Sequence, residues 1–197
     1  MPKAARDPMT PLLWQPMARI ARHQRPSLAL QDWLIDSGSL TARLIDASNG
    51  HFKVRILHQI IGVPRLDERR ALEMKRPALA LIREVILCGE DEPWVFARSL
   101  LPLTSLTGRL RHLRKQGSRP LGAFLFSQPQ LLRSAIAVAR ISRDHAYLPA
   151  DLAGTAPLWG RRSIFRLQEK SVQTKPLLVS EVFLPAFTAR LARNPLR

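Results

Sequence analysis

Two charged residues interrupt segments that are otherwise apolar enough to be buried β-strands. Arg83 lies within the run 79–88 (LALIREVILC), and Glu181 lies within the run 176–185 (PLLVSEVFLP). Side chains alternate between the two faces of a strand, so each charge shares its face with apolar neighbours. Burying an ion costs several kcal/mol unless the ion is paired or hydrogen-bonded. Both residues therefore need a chemical or structural reason for their positions.

Three explanations for this pattern are open. In the first, Arg83 binds an anion in a closed pocket and Glu181 handles a proton or a hydroxyl group there. In the second, the two residues form a structural buried ion pair. In the third, one strand is covered on both faces and its charge reaches a rim. Because Glu84 lies on the opposite face of the same strand, periodicity alone does not decide whether Arg83 or Glu84 points into the core.

Helical segments precede most of the strands. Ser27 and Ser39 are typical N-cap residues, and they predict two short helices over residues 27–37 and 39–48, the second ending near the turn signal Asn49–Gly50. A capped basic helix is also predicted over 103–117, and residues 144–157 are predicted to form a loop or flap. Apolar and alternating runs predict six strands, at 51–61, 78–88, 94–102, 130–142, 158–167 and 175–185.

The order of these elements predicts the fold class. The second and third strands are joined by the acidic segment 89–93, which is typical of a β-hairpin. Strands this close in sequence favour antiparallel pairing over parallel crossovers. We expect a single α+β domain, with an antiparallel sheet of about six strands and helices packed on one face. Its predicted bounds are 27–187, between a basic Pro/Arg-rich arm at 1–26 and a basic, fraying tail at 188–197.

Composition restricts the cellular setting. The chain of 197 residues is 46% hydrophobic, which is enough for one domain with a sizeable core. The single cysteine, Cys88, excludes an internal disulfide and a multi-thiolate zinc site, and it fits a reducing cytoplasm. No apolar run approaches the roughly 18 residues of a membrane span, and residues 1–27 lack the apolar core of a signal peptide. We expect a cytoplasmic protein.

A formal net charge of +16 is large for a chain of this size. It fits nucleic-acid binding, weak association with an anionic membrane surface, anionic substrates, or simply a solvated basic surface, which is favoured. Nucleic-acid binding would require aromatic side chains interleaved with arginine on one surface. Only 6% of the residues are aromatic, and most of these lie in apolar runs. No specific nucleic-acid partner is therefore expected.

Familiar catalytic motifs are absent from the sequence. There is no phosphate-binding G-x-x-x-x-G-K-[ST] or G-x-G-x-x-G loop, no G-x-S-x-G elbow and no H-E-x-x-H pair. The five histidines are scattered without metal-ligand spacing. A site built from arginine and glutamate, with no metal or cofactor, is what remains.

Five ordered stretches resemble one known family, the chorismate pyruvate-lyases. They are IREVILCGEDEPW at 82–94, ARSLLPLTSLTG at 97–108, PLGAFLF from Pro120, LWGRRS from Leu158 and LLVSEVFLP from Leu177. The resemblance runs in order from about residue 28 to residue 187. It implies a cofactor-free enzyme, a carbon–oxygen lyase that converts chorismate into 4-hydroxybenzoate and pyruvate on the way to ubiquinone, in a buried pocket closed by flap-like helices.

The resemblance also implies site residues. Arg83 matches the arginine that holds the product carboxylate, and Glu181 matches the carboxylate at the far end of the pocket. Leu121 matches a loop position whose backbone contacts the ligand. Leu40 matches a pocket position that is often methionine in relatives, a mild departure because the two side chains have similar volume. Glu181 could act as a general acid on the ether or phenol oxygen, or as a hydrogen-bond partner.

Further expectations concern orientation and assembly. Arg161 and Arg162 could guide the second carboxylate of chorismate, but exposure of one or both to solvent is favoured. The resemblance also implies that Arg83, rather than Glu84, faces the pocket. We expect the protein to be a monomer.

The main alternative function is non-catalytic sensing of an aromatic acid, as in the related ligand-binding domains of bacterial transcription regulators. The short, Pro-rich segment 1–26 argues against a preceding helix-turn-helix module.

Overall fold

Antiparallel pairing organises the whole chain. The structure, a computed structural model, describes residues 11–74, 78–115, 117, 119–143, 145–169 and 172–193. Within these residues, seven strands form one sheet in the order β1-β2-β3-β7-β6-β4, with β5 beside β6. The strands are β1 Phe52–Gly62, β2 Ala80–Gly89, β3 Glu92–Pro102, β4 Leu131–Arg133, β5 Ala137–Ile141, β6 Leu158–Glu169 and β7 Val172–Phe183. The predicted α+β class with an antiparallel sheet is confirmed.

Five α-helices accompany the sheet in the described residues. They are α1 Leu28–Ile35, α2 Leu40–Ala47, α3 Leu66–Ala71, α4 Leu121–Phe126 and α5 Pro185–Arg193. The predicted caps are confirmed, because the Ser27 and Ser39 hydroxyls accept hydrogen bonds from the backbone N–H groups of Leu30 and Ala42. None of these helices is long and apolar enough to cross a membrane.

The β2–β3 hairpin carries Arg83 and sets its register. Its turn is tighter than the predicted five-residue loop, since Gly89 pairs with Glu92 and only Glu90 and Asp91 lie between them. Both turn residues have positive φ, at 52° and 64°, the conformation that matches the twist of two antiparallel strands. Gly89 is required here, because a Cβ at this position would lie 2.3 Å from the Trp94 ring.

The front face of the sheet, defined as the face that carries Arg83 and Glu181, is covered by α1, α2 and α5. Trp33 of α1 lies edge-on against Phe187 of α5, with ring centroids 4.8 Å apart. Phe187 in turn stacks on Phe183 at 5.4 Å. These buried aromatic rings attach the two helices to the sheet at one end of the front face, beside the cavity described below.

The opposite, back face contains a buried ionic network. Arg98 donates hydrogen bonds to both Glu68 oxygens, at 2.6 and 3.0 Å, and to Glu84 at 2.5 Å. Glu68 comes from α3, a short helix of the segment between β1 and β2. Glu84 therefore lies behind the sheet, and the implied assignment of Arg83 to the other face is confirmed.

Predictions near the ends and loops have mixed outcomes. Residues 145–157 form a loop, as one of the two predicted alternatives, and Tyr147, Leu148 and Leu152 are buried against the back of the sheet. The tail does not fray at 188–193, since these residues belong to α5 and bury Leu191; residues 194–197 lie outside the described residues. The basic segment 103–117 forms 3-10 helices, Leu103–Ser105 and Gly108–Lys115, rather than one α-helix.

Two other predictions agree with the structure. The ambiguous run 130–142 is extended, although it is divided into β4 and β5. Cys88 is buried in β2, and burial raises the pKa of its thiol, as expected of a small core residue rather than a nucleophile. Residues 1–10 of the predicted N-terminal arm lie outside the described residues, whereas residues 11–26 contain the 3-10 helices Met17–Arg19 and Arg22–Gln24.

Candidate active site

A cavity on the front face brings together all four of the site residues expected from sequence. It lies between the sheet and the helices α2 and α4, and encloses about 550 Å³ including its opening to solvent. Leu40 of α2, Leu121 of α4, Arg83 of β2 and Glu181 of β7 all line it. The roles implied for these residues remain predictions.

Arg83 is a buried cation without a carboxylate partner in the described part of the chain. Its side chain is only 3% exposed. Nη2 donates hydrogen bonds to the carbonyl oxygens of Gly117 and Arg119, at 2.6 and 3.3 Å, while Nε is fully buried and makes no hydrogen bond. Burial lowers the pKa of this guanidinium, the cost expected of an uncompensated charge. Arg83 is therefore prepared to bind an anion that enters the cavity.

Glu181 is held by a different arginine. Its Oε2 accepts a hydrogen bond of 2.6 Å from Nε of Arg161, a side chain that is 1% exposed. Nη1 of Arg161 also donates to the carbonyl oxygens of Trp33 and Asp36, both at 2.8 Å, at the end of α1. The second oxygen, Oε1, has no hydrogen-bond partner among the described residues. It can accept a hydrogen bond from a ligand hydroxyl.

The proposed ion pair between Arg83 and Glu181 is not formed. Strand β3 lies between their strands, and Glu181 is opposite Ala97 on that strand whereas Arg83 is opposite Ser99. Neighbouring strands are about 4.8 Å apart, so two strand spacings separate the backbones by about 10 Å. The two charged side chains line one cavity from the strands on either side of β3.

The expectation that Arg161 or Arg162 faces solvent is wrong for Arg161, which lies at the bottom of the cavity. Arg162 points to the back face, where it is half-buried and pairs with Asp67 at 3.1 Å. Sequence reasoning also missed Arg133 of β4, which lines the cavity near Arg161. The only sequence signal for Arg133 was a charge in an ambiguous apolar run.

Helices α2 and α4 cover the cavity in close contact. A Cβ on Gly122 would lie 2.8 Å from the Thr41 hydroxyl, so the glycine permits this approach. Leu40 and Leu121 are both buried beside it. Arg83 holds the segment just before α4 through the Gly117 and Arg119 carbonyls. Arg83 is thus linked by hydrogen bonds to the segment that leads into α4, one of the two helices that cover the cavity.

The charged side chains that line the cavity are three arginines, Arg83, Arg133 and Arg161, and one glutamate, Glu181. Their formal charges sum to +2, because three positive charges oppose one negative charge. Most of the remaining lining is apolar, which leaves these charges poorly hydrated. A doubly negative small molecule would neutralise the cavity. Among the described residues, no group of three or more His, Cys, Asp or Glu side chains is arranged to bind a metal.

Comparison with known proteins agrees with this geometry. A sequence profile described as "Chorismate lyase" matches residues 9–192. A protein of Azoarcus sp. strain BH72 named "Probable chorismate pyruvate-lyase" is 48% identical over 166 residues, which cover 80% of this chain and 84% of that protein. This chain belongs to the chorismate lyase family. A relative of the same name from Aromatoleum aromaticum is 42% identical over 174 residues, covering 84% of this chain and 91% of its own.

Solved structures share the fold at lower identity. The effector domain of PhnF from Mycobacterium smegmatis matches with a TM-score of 0.51 and 15% identity, covering 76% of this chain and 90% of that domain. At this identity the likeness concerns the fold alone. This chain and that effector domain thus share an architecture.

Two buried arginines of the cavity should differ in their contribution to stability. Arg161→Met leaves Glu181 unpaired and two carbonyls at the end of α1 without donors, so we expect the free energy of unfolding to fall by about 3–5 kcal/mol. Arg83→Met removes the donor to the Gly117 and Arg119 carbonyls, but it also removes a buried cation without a carboxylate partner, so the loss should be smaller by about 2 kcal/mol. Urea unfolding curves measure both changes. Equal losses in the two variants would contradict the assignment of the structural ion pair to Arg161 alone.

Proposed function

We propose that this protein is a chorismate pyruvate-lyase that converts chorismate into 4-hydroxybenzoate and pyruvate. The observation that carries the proposal is the Arg83 guanidinium, which is buried without a carboxylate partner in the described residues of a chorismate lyase family cavity. The relatives that carry this name match most of the chain. The protein is a carbon–oxygen lyase.

The reaction chemistry fits a cavity of this kind. The bond between the ring and the ether oxygen breaks, and the neighbouring carbon, which carries the hydroxyl group, loses its hydrogen as the ring becomes aromatic. The enolpyruvate that leaves takes up a proton and becomes pyruvate. Aromatisation supplies the driving force, so the protein mainly has to orient the substrate and assist proton movement.

Arg83 and Glu181 orient the ring in this proposal. The planar guanidinium of Arg83 binds the ring carboxylate, for which its geometry is suited. Glu181 lies towards the other end, where the hydroxyl and ether groups of chorismate would be. Because Arg161 occupies Oε2, Oε1 is the atom that meets the substrate. Leu40 of α2 and Leu121 of α4 pack against the substrate ring in this proposal.

Sensing of an aromatic acid without catalysis is the second candidate, favoured only by the fold that the PhnF effector domain shares. The two functions differ in whether chorismate is consumed. We expect purified protein to release pyruvate and 4-hydroxybenzoate from chorismate in buffer without added metal or cofactor. Chromatography measures both products. Binding of 4-hydroxybenzoate with no turnover of chorismate by folded protein would favour the sensor.

Substitutions separate binding from chemistry. We expect Arg83→Ala to lower kcat/KM by at least about 100-fold, because a charge-assisted bond to the carboxylate is lost. Glu181→Gln should lower kcat by about 100-fold and change KM much less, if the carboxylate assists proton transfer. Arg166→Gln, at a half-buried pair with the exposed Glu73, is the matched control. Full turnover by Glu181→Gln would leave only a positioning role for Glu181.

We also propose that the enzyme acts as a cytoplasmic monomer. A charge of +16 opposes self-association, and the edge strand β1 carries Lys53 and Arg55, charges that protect an exposed edge from pairing with another strand.

Two apolar residues of β1, Ile60 and Ile61, are nevertheless 56% and 58% exposed. Exposed apolar side chains on a strongly basic protein favour weak docking on an anionic bilayer.

Vesicle sedimentation tests this docking. We expect the protein to pellet with vesicles of phosphatidylcholine and phosphatidylglycerol at low salt, and to be released by high salt because the attraction is electrostatic. Ile60→Ser with Ile61→Ser should weaken binding, whereas Leu132→Ser, at an exposed position on β4, should not. The absence of salt-sensitive binding would exclude the membrane, and a dimer by light scattering would reassign this edge to self-association.

A further inference from the structure

Arg133 of β4 is built into the wall of the cavity by three hydrogen bonds. Its Nε donates to the Ser163 hydroxyl at 3.0 Å. Its Nη1 donates to the carbonyl oxygens of Ser37 and Gly38, at 2.7 and 3.3 Å. These contacts hold the guanidinium in one orientation, although β4 itself is only three residues long.

The remaining group of this guanidinium, Nη2, is available to a ligand. It has no hydrogen-bond partner among the described residues, and no carboxylate of those residues forms an ion pair with Arg133. The guanidinium lies 5.2 Å from the centre of the Phe165 ring and 6.0 Å from that of Phe126. Burial, and then the charge of Arg161, lower the pKa of Arg133. Arg133 is thus a half-buried cation that forms no ion pair with a carboxylate of the described residues.

The two unpaired cations occupy different ends of the cavity. Arg83 lies on β2, whereas Arg133 contacts Ser163 of β6, three strands away in the sheet order. Three strand spacings amount to about 14 Å between backbones. Glu181 lies on β7, between these two strands in the sheet order, and its charge acts on Arg133.

We infer that Arg133 binds the enolpyruvyl carboxylate of chorismate, an inference that rests on the proposed lyase function. The ether that carries this carboxylate is attached beside the ring hydroxyl and away from the ring carboxylate. A ring held by Arg83 therefore directs the enolpyruvyl group towards the end of the cavity that contains Glu181 and Arg133. Nη2 of Arg133 donates to one oxygen of that carboxylate.

This assignment gives the two cations different consequences for the reaction. The substrate carries two carboxylates and neutralises both arginines, whereas the product 4-hydroxybenzoate carries one and leaves Arg133 without an anion. Arg133 therefore selects the substrate over the product, and it holds the side chain that leaves as pyruvate. Arg83 contributes to the binding of both molecules.

Equilibrium binding and turnover of Arg133→Gln test the assignment. We expect KM for chorismate to rise at least about tenfold, as for loss of a charge-assisted hydrogen bond. The Kd for 4-hydroxybenzoate, measured by calorimetry, should stay within about twofold, which also shows that the cavity remains folded. Arg133→Lys should recover part of the chorismate affinity, because it restores the charge. Arg140→Gln, at an exposed position on β5, is the control for loss of a basic residue.

A chorismate analogue esterified on the enolpyruvyl carboxylate completes the test. The parent protein should bind the ester at least about tenfold more weakly than it binds chorismate. Arg133→Gln should bind the ester and chorismate equally well, because a direct contact between Arg133 and this carboxylate makes the two losses non-additive in a double-mutant cycle. Equal losses for substrate and product would show that Arg133 only shapes the cavity and would overturn the assignment. No effect on either ligand would overturn it as well. If the parent protein binds 4-hydroxybenzoate but does not turn over chorismate, the lyase function itself is wrong.

Discussion

The ion pair between Arg161 and Glu181 is the interaction on which the site depends. Arg161 joins β6 to β7 through Glu181 and joins both strands to the end of α1 through the Trp33 and Asp36 carbonyls. The charge of Arg161 is thereby neutralised by Glu181, and the second carboxylate oxygen, Oε1, can accept a hydrogen bond from a ligand. The other two cavity arginines, Arg83 and Arg133, donate only to carbonyl and hydroxyl oxygens in the described residues. The cavity is consequently two negative charges short of neutrality.

The back of the sheet supports this arrangement. The cross-strand row that contains Ala97, Glu181 and Arg161 faces the cavity, and the adjacent row, one residue away on each strand, faces the opposite side. There Arg98 pairs with Glu84 and with the buried Glu68 of α3. Removing one member of such a pair leaves an uncompensated charge, so the network resists changes of register. The strands that carry the charged groups of the cavity are therefore fixed from both faces.

The local sequence pattern predicted two kinds of feature, the residues that share a strand face and the helix caps. The two-residue alternation around Arg83 and Glu181 showed which neighbours share a face with each charge, and the serine caps of α1 and α2 were readable from residue type. The resemblance supplied the choice of Arg83 over Glu84. Arg133 was not predicted, and for Arg161 exposure to solvent was favoured, because the partners of both lie far away in sequence, on α1, on the loop after it and on other strands. Helix α5 escaped for a related reason, since Phe187 and Leu191 become apolar anchors only once Trp33 and Trp94 surround them.

We infer that the cavity orients an aromatic acid with its carboxylate on Arg83 and its hydroxyl towards Glu181. A crystal structure of the protein with 4-hydroxybenzoate measures this orientation. We expect both carboxylate oxygens to lie within hydrogen-bonding distance of the Arg83 guanidinium, and the hydroxyl to lie within hydrogen-bonding distance of Oε1 of Glu181. A ligand bound in the reverse orientation, or one bound outside the cavity under α2 and α4, would contradict it.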